Sequence, residues 1–149
     1  MLFEQELKVF VEGTTNYFEV AALQAATIGS PYLVTRGKPA VHDYTGVIKI
    51  AGRREGVVYF TASRAMLTVL LMKMQETDFS EATMKDLVGE VANTISGNAR
   101  RDFGREFVIS VPSVICGDKM ELPLSDELRP FVIPINWRSH SAKLVVALK

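Results

Sequence analysis

Two runs rich in β-branched and aromatic residues, YTGVIKIAG and EGVVYFTAS, are joined through Arg53 and Arg54 in the sequence GRRE, and this pair constrains the fold more than any other feature. Such runs suit a pleated, buried surface. A link this short leaves only an antiparallel hairpin, because a parallel return needs a crossover of about a dozen residues. One antiparallel sheet is therefore the frame on which the rest must pack.

The rest supplies more strands and three helices. EFVISVPSVIC, RPFVIPINW and AKLVVALK each read as a strand, and GSPYLVTRGKP as a connection with a short edge strand. Pro112 and Pro134 each remove a ladder donor, which favours an edge or a bulge for their segments. Phe3, Leu7, Val11, Thr14, Phe18, Ala21 and Ala25 fall at three-four spacing, the stripe of a first helix running to about Ala25. Ser63 is placed to cap a second helix over RAMLTVLLMKMQ. Asp78 or Ser80 caps a third that runs to about Phe103, Asp78 having Glu81 three residues on as in a capping box. Strands clustered before and after a pair of helices predict an α+β fold, an antiparallel β-sheet with long helices packed on one face.

At 149 residues the chain is read as one domain spanning 1–149. Its 17 Lys and Arg balance 17 Asp and Glu, so the basic surplus of a nucleic-acid binder is missing. Cys116 is the only cysteine, which excludes an internal disulfide and fits a reducing compartment. The most apolar helical stretch, AMLTVLLMKM, is shorter than the roughly 20 residues that cross a bilayer, and MLFEQELK has acids where a secretory signal has basic residues. The expectation is a cytoplasmic protein with neither a membrane nor a nucleic acid among its partners.

The third helix poses the functional question. Met84, Leu87, Val88, Val91, Ile95 and Ala99 gather into one core-facing stripe at about 100° per residue. Asp86, Glu90, Asn93, Gly97 and Arg100 then point outward, with Gly89 at the margin, and Glu90 and Asn93 are neighbours one turn apart. A helical glycine costs about 1 kcal/mol relative to alanine. Two explanations offset that cost: close packing of another part of the same chain, or close approach of a partner's backbone to Glu90 and Asn93.

VGEVANTISGNAR resembles the G-E-[IVL]-x-N-x-x-[AS]-G-[NK] helix of the CheC, CheX and FliY chemotaxis phosphatases, and the likeness extends through EGVVYFTASRAMLTVLLMKM, VISVPSVICGDKMEL and PFVIPINW to LVVALK. The chain is most similar to the CheX type, which carries a single E-x-x-N motif. The resemblance implies hydrolysis of the aspartyl phosphate of a CheY-like response regulator, with Asn93 orienting the attacking water and Glu90 pairing with the regulator's active-site lysine. It implies no cofactor in this chain, Mg²⁺ in the phosphorylated regulator, and a homodimer formed through the sheets. Asp86, Gly89, Gly97 and Arg100 are the accompanying candidates for partner contact. Glu12 and Asn16 on the first helix are spaced E-x-x-x-N, one residue too long for a second motif, and read as a solvated face. His42 and His140 read as turn residues, and Asn98 as a buried structural amide. The alternatives are a non-catalytic regulator-binding or flagellar-switch-like adaptor, or a dimerisation domain with Glu90 and Asn93 buried in its interface.

Overall fold

The computed structural model describes residues 4–117, 124 and 127–149. In chain order these form helix α1 (Glu4–Val20), short strands β1 (Thr27–Ile28) and β2 (Tyr32–Leu33), the hairpin β3 (Tyr44–Gly52) and β4 (Gly56–Ala62), and helices α2 (Arg64–Lys73) and α3 (Glu81–Phe103). Strands β5 (Phe107–Ile109), β6 (Ser113–Cys116), β7 (Phe131–Trp137) and β8 (His140–Leu148) follow. They make one sheet in the order β1-β7-β8-β4-β3-β5, with β2 also beside β7 and β6 beside β3. Every pairing is antiparallel, as expected. Phe3 and the residues of GDKMEL after Gly117 lie outside the described set.

Side chains on the sheet alternate between two covered faces. Tyr44, Ile48, Ile50, Val58, Phe60 and Ala62 join the helices in the main core. Val47, Val57, Tyr59 and Val145 point the other way and are covered by Val34, Val41, Leu124 and Leu128. A strand buried on both faces reads as a continuous apolar run rather than an alternating one, and β4, GVVYFTA, and the end of β8, LVVAL, have that character.

Three expectations are corrected in detail. EFVISVPSVIC is two strands, not one. Val47 pairs with Ser113 but Ile50 with Ile109, so three steps along β3 face four along the partner, and the extra residue makes a bulge at Ser110–Pro112. RPFVIPINW is not an edge strand: β7 has β8 on one side and the two short strands on the other, and Pro134 falls in the gap between β1 and β2. There Gly29 N–H donates to the Pro134 carbonyl at 2.9 Å.

The third correction concerns the first helix. It ends at Val20, and Leu23 beyond it turns the chain with φ of 55°. Its buried residues are Leu7, Phe10, Gly13, Thr14, Tyr17 and Phe18, whereas Val11 and Ala21 of the expected stripe are half-buried and Ala25 is exposed. The helix packs against both α3 and the sheet, which buries a wider face than one stripe. Ser63 caps α2 as read, its Oγ accepting from Met66 N–H at 3.1 Å, and of the two candidates for α3 the N-cap is Ser80, not Asp78 in a capping box with Glu81: Ser80 Oγ accepts from Thr83 N–H at 3.3 Å. Asp78 supports the latter by accepting from Ser80 N–H at 2.8 Å.

Candidate functional site

The position of α3 on the sheet is set by two glycines, one on each element. Gly46 faces α3 from the middle of β3. A Cβ built there would lie 2.8 Å from Gly89 N and closer still to the Val88 carbonyl, so only glycine lets the helix backbone rest directly on the strand. Gly89 meets the sheet edge from the other side: a Cβ there would lie 3.2 Å from Pro112 Cβ and 3.6 Å from Val114 Cγ2. The β5–β6 bulge thus delivers Pro112 onto the helix one residue before Glu90.

With the helix seated this way, Met84, Leu87, Val88, Val91, Ile95 and Ala99 are buried, and Asp86, Glu90, Asn93 and Arg100 are exposed. The spacing argument therefore places Glu90 and Asn93 side by side on an open helix face. Gly97 lies a further turn along, half-buried, and a Cβ built on it would meet nothing within 4 Å. The two glycines have different reasons. Gly89 is buried under Pro112, so packing within the chain accounts for it and removes it from the outward surface. Among the described residues no neighbour requires Gly97.

Helix α1 borders this face. Phe10 meets the Phe103 ring at a centroid distance of 5.8 Å, and a Cβ on Gly13 would lie 3.5 Å from Ile95 Cγ2 and 3.9 Å from Asn98 Cβ. Ascending α1 therefore descends α3, and the helices are antiparallel. One turn beyond Gly13 comes Tyr17, which that antiparallel register carries toward the α3 turn that bears Glu90. Its ring is held edge-on to Phe18 at 5.4 Å, and its hydroxyl is buried without a hydrogen-bond partner. Burial pushes the phenol above its ordinary pKa range, and the charge of Glu90 pushes it further. The sequence pattern did not single out Tyr17, because its partner is a residue 73 positions away on another helix.

Of the other candidates, Glu12 and Asn16 are exposed on α1. Asn98 is half-buried beside Gly13, not fully buried. His42 precedes β3 and its backbone N–H donates to Thr61 Oγ1 at 2.7 Å, while His140 is the first residue of β8 rather than part of the turn. Among the described residues no three His, Cys, Asp or Glu side chains gather where they would hold a metal ion, and no helix is long and apolar enough to cross a membrane. An acid and an amide on an open helix face suit a group presented by a large partner, since a small substrate is usually enclosed in a concave site.

The family model described as chemotaxis phosphatase CheX matches residues 44–136, the span from β3 to the end of β7 that contains all of α3. Among solved structures, the chemotaxis protein CheX from Desulfovibrio desulfuricans is similar, with a TM-score of 0.84 and 27% identity over 97% of this chain and 99% of that one. A CheC-like superfamily protein from Shewanella sp. PV-4 superimposes with a TM-score of 0.85 at 21% identity, covering 99% of both chains. A chain of the CheX-CheY-BeF3-Mg²⁺ complex from Borrelia burgdorferi does so with a TM-score of 0.75 at 19% identity, covering 97% of each. No curated protein sequence matches the chain.

Proposed function

This chain belongs to the chemotaxis phosphatase CheX family, and we propose that it hydrolyses the aspartyl phosphate of a CheY-like response regulator in the cytoplasm. The observation that carries the proposal is the joint exposure of Glu90 and Asn93 one turn apart on α3. The similar fold of a CheX chain in complex with CheY supports the class of partner.

In this reading the regulator supplies the acyl phosphate, the lysine beside it and the Mg²⁺. Glu90 pairs with that lysine, which fixes the partner and sets Asn93 beside the phosphorus. The Asn93 side chain accepts a hydrogen bond from water through its carbonyl and donates from its amide, and it does not titrate, so it orients water without acting as a strong base. Water oxygen bonds to phosphorus, the bond from phosphorus to the aspartyl oxygen breaks, and inorganic phosphate leaves with the carboxylate restored. Catalysis is mostly positioning, as in phosphoryl transfers in which a Gln aligns the attacking water. Asp86 and Arg100 supply flanking charge for the partner, and Gly97 leaves room for its backbone. A homodimer formed through the sheet is part of the same proposal, and a monomer mass at every concentration in sedimentation removes it.

The test is loss of phosphate from phosphorylated CheY-like regulators of the same organism. Wild type accelerates it. Asn93→Ala lowers kcat by about 100-fold or more, the scale of misplacing a reacting group, whereas Glu90→Ala acts chiefly by raising KM. A wild type inert toward every such regulator refutes the reading and leaves the adaptor in its place.

A further inference from the structure

Tyr17 carries a group that the fold does not use. The residue is 3% exposed, and its hydroxyl is buried with no hydrogen-bond partner. A buried hydroxyl left unpaired is unfavourable, and phenylalanine would fill the same space without that cost. Ser96 and Tyr59 hold similar unpaired hydroxyls, but Tyr59 lies on the opposite face of the sheet. Among the described residues only Tyr17 combines this orphaned donor with a neighbouring helix that carries a proposed site carboxylate.

The pairing of α1 with α3 carries Tyr17 toward the turn that bears Glu90. Phe10 against Phe103 and Gly13 against Ile95 and Asn98 set the antiparallel register, and Tyr17 follows Gly13 by one turn on the same face. Contact with Phe18, whose ring in turn lies 6.0 Å from Trp137, holds the phenol from behind. Trp137 is itself anchored by donating Nε1–H to the Gln24 carbonyl at 2.9 Å. The donor is therefore held on a rigid aromatic column, while Glu90 is an exposed side chain with free torsions.

We propose that Tyr17 is a positioning residue for Glu90: when a partner docks and strips water from the carboxylate, the Tyr17 O–H donates to one Glu90 oxygen and leaves the other aimed at the partner's cation. The inference rests on the phosphatase reading and deepens it. Free in solution, Glu90 is hydrated and has little need of the phenol. Once desolvated, a carboxylate with a ready-made neutral donor loses less than one without, and a neutral phenol supplies that bond without cancelling the charge the lysine must meet. The phenol stays protonated because burial and the nearby carboxylate both oppose its ionisation.

The experiment has a kinetic arm and a spectroscopic one. With phosphorylated regulator, Tyr17→Phe raises KM by about tenfold, the worth of one charge-assisted hydrogen bond, leaves kcat unchanged and does not lower thermal stability. Tyr17→Phe adds nothing once Glu90 is Gln, and Tyr59→Phe moves neither constant. In protein labelled at tyrosine ¹³Cζ and saturated with a beryllofluoride-loaded CheY-like regulator, Glu90→Gln shifts the Tyr17 resonance and not that of Tyr59. A wild-type KM in Tyr17→Phe, or an effect that adds to that of Glu90→Gln, overturns the proposal while leaving the phosphatase reading standing. Absence of hydrolysis by wild type marks failure of the phosphatase reading and takes the claim on KM with it. A Tyr17 resonance in that complex indifferent to Glu90→Gln overturns the contact by itself.

Discussion

Gly97→Ala should make the protein more stable and less active, and the opposed signs are the test. Gly97 sits inside α3 and is absent from the glycines with positive φ, so alanine suits its backbone. Among the described residues, nothing beyond the helix's own nearby backbone lies within 4 Å of the added methyl. Replacing an interior helical glycine by alanine under those conditions stabilises by about 0.5–1 kcal/mol. For a chain of 149 residues that is a rise of about 2–3 °C in Tm.

The functional effect runs the other way if a partner's backbone crosses the helix at Gly97. A methyl forced into a close-packed contact costs about 1–3 kcal/mol, and on association this becomes a rise of about 5- to 150-fold in KM. Gly97→Leu should raise KM further, since its side chain extends farther over the same face. Thermal melts and steady-state phosphate release on the same preparations measure both quantities. If Gly97→Ala stabilises as expected and Gly97→Leu still binds regulator like wild type, the clearance argument is wrong. Gly89→Ala is the contrast: Pro112 stands 3.2 Å from the new atom, so strain takes up much of the helical gain and the outward face is unaltered.

Gly46→Ala should destabilise by about 3 kcal/mol or more, because the added atom meets helix backbone at Val88 and Gly89, which cannot move aside as a side chain would. A urea midpoint equal to wild type would show that α3 does not rest on β3 there. His42 should set part of the response to acid: burial first, then Lys143, lower its pKa below 6.5, with Asp43 opposing. The folded form then holds fewer protons than the unfolded chain, so stability is full above the unfolded pKa and falls as pH drops from 6.5 through the lowered folded value. His42→Gln should flatten the difference between urea midpoints at about pH 5 and pH 8, and a slope unchanged by the substitution would assign the response elsewhere.

These glycines also show what a sequence states and what it withholds. The hairpin, the caps at Ser63 and Ser80 and the end of α3 at Phe103 were legible because each depends on residues a few positions apart. So was the outward pairing of Glu90 with Asn93, which follows from helical periodicity alone. Gly89 and Gly97 look alike in that local description, yet Pro112 covers one, and among the described residues nothing beyond the helix itself comes within 4 Å of a Cβ on the other. The difference lies in the β5–β6 bulge, a register slip that only the pairing with β3 reveals. Phe10 and Tyr17 were missed for the same reason, since α1 buries a second face whose partner is α3. The proposed site pair is thus written locally, but its setting is written elsewhere: Gly46 sets how deeply α3 sits on the sheet, and Pro112 bears on it one residue before Glu90. A sequence that kept E-x-x-N and changed Gly46 would keep the motif and lose the surface that presents it.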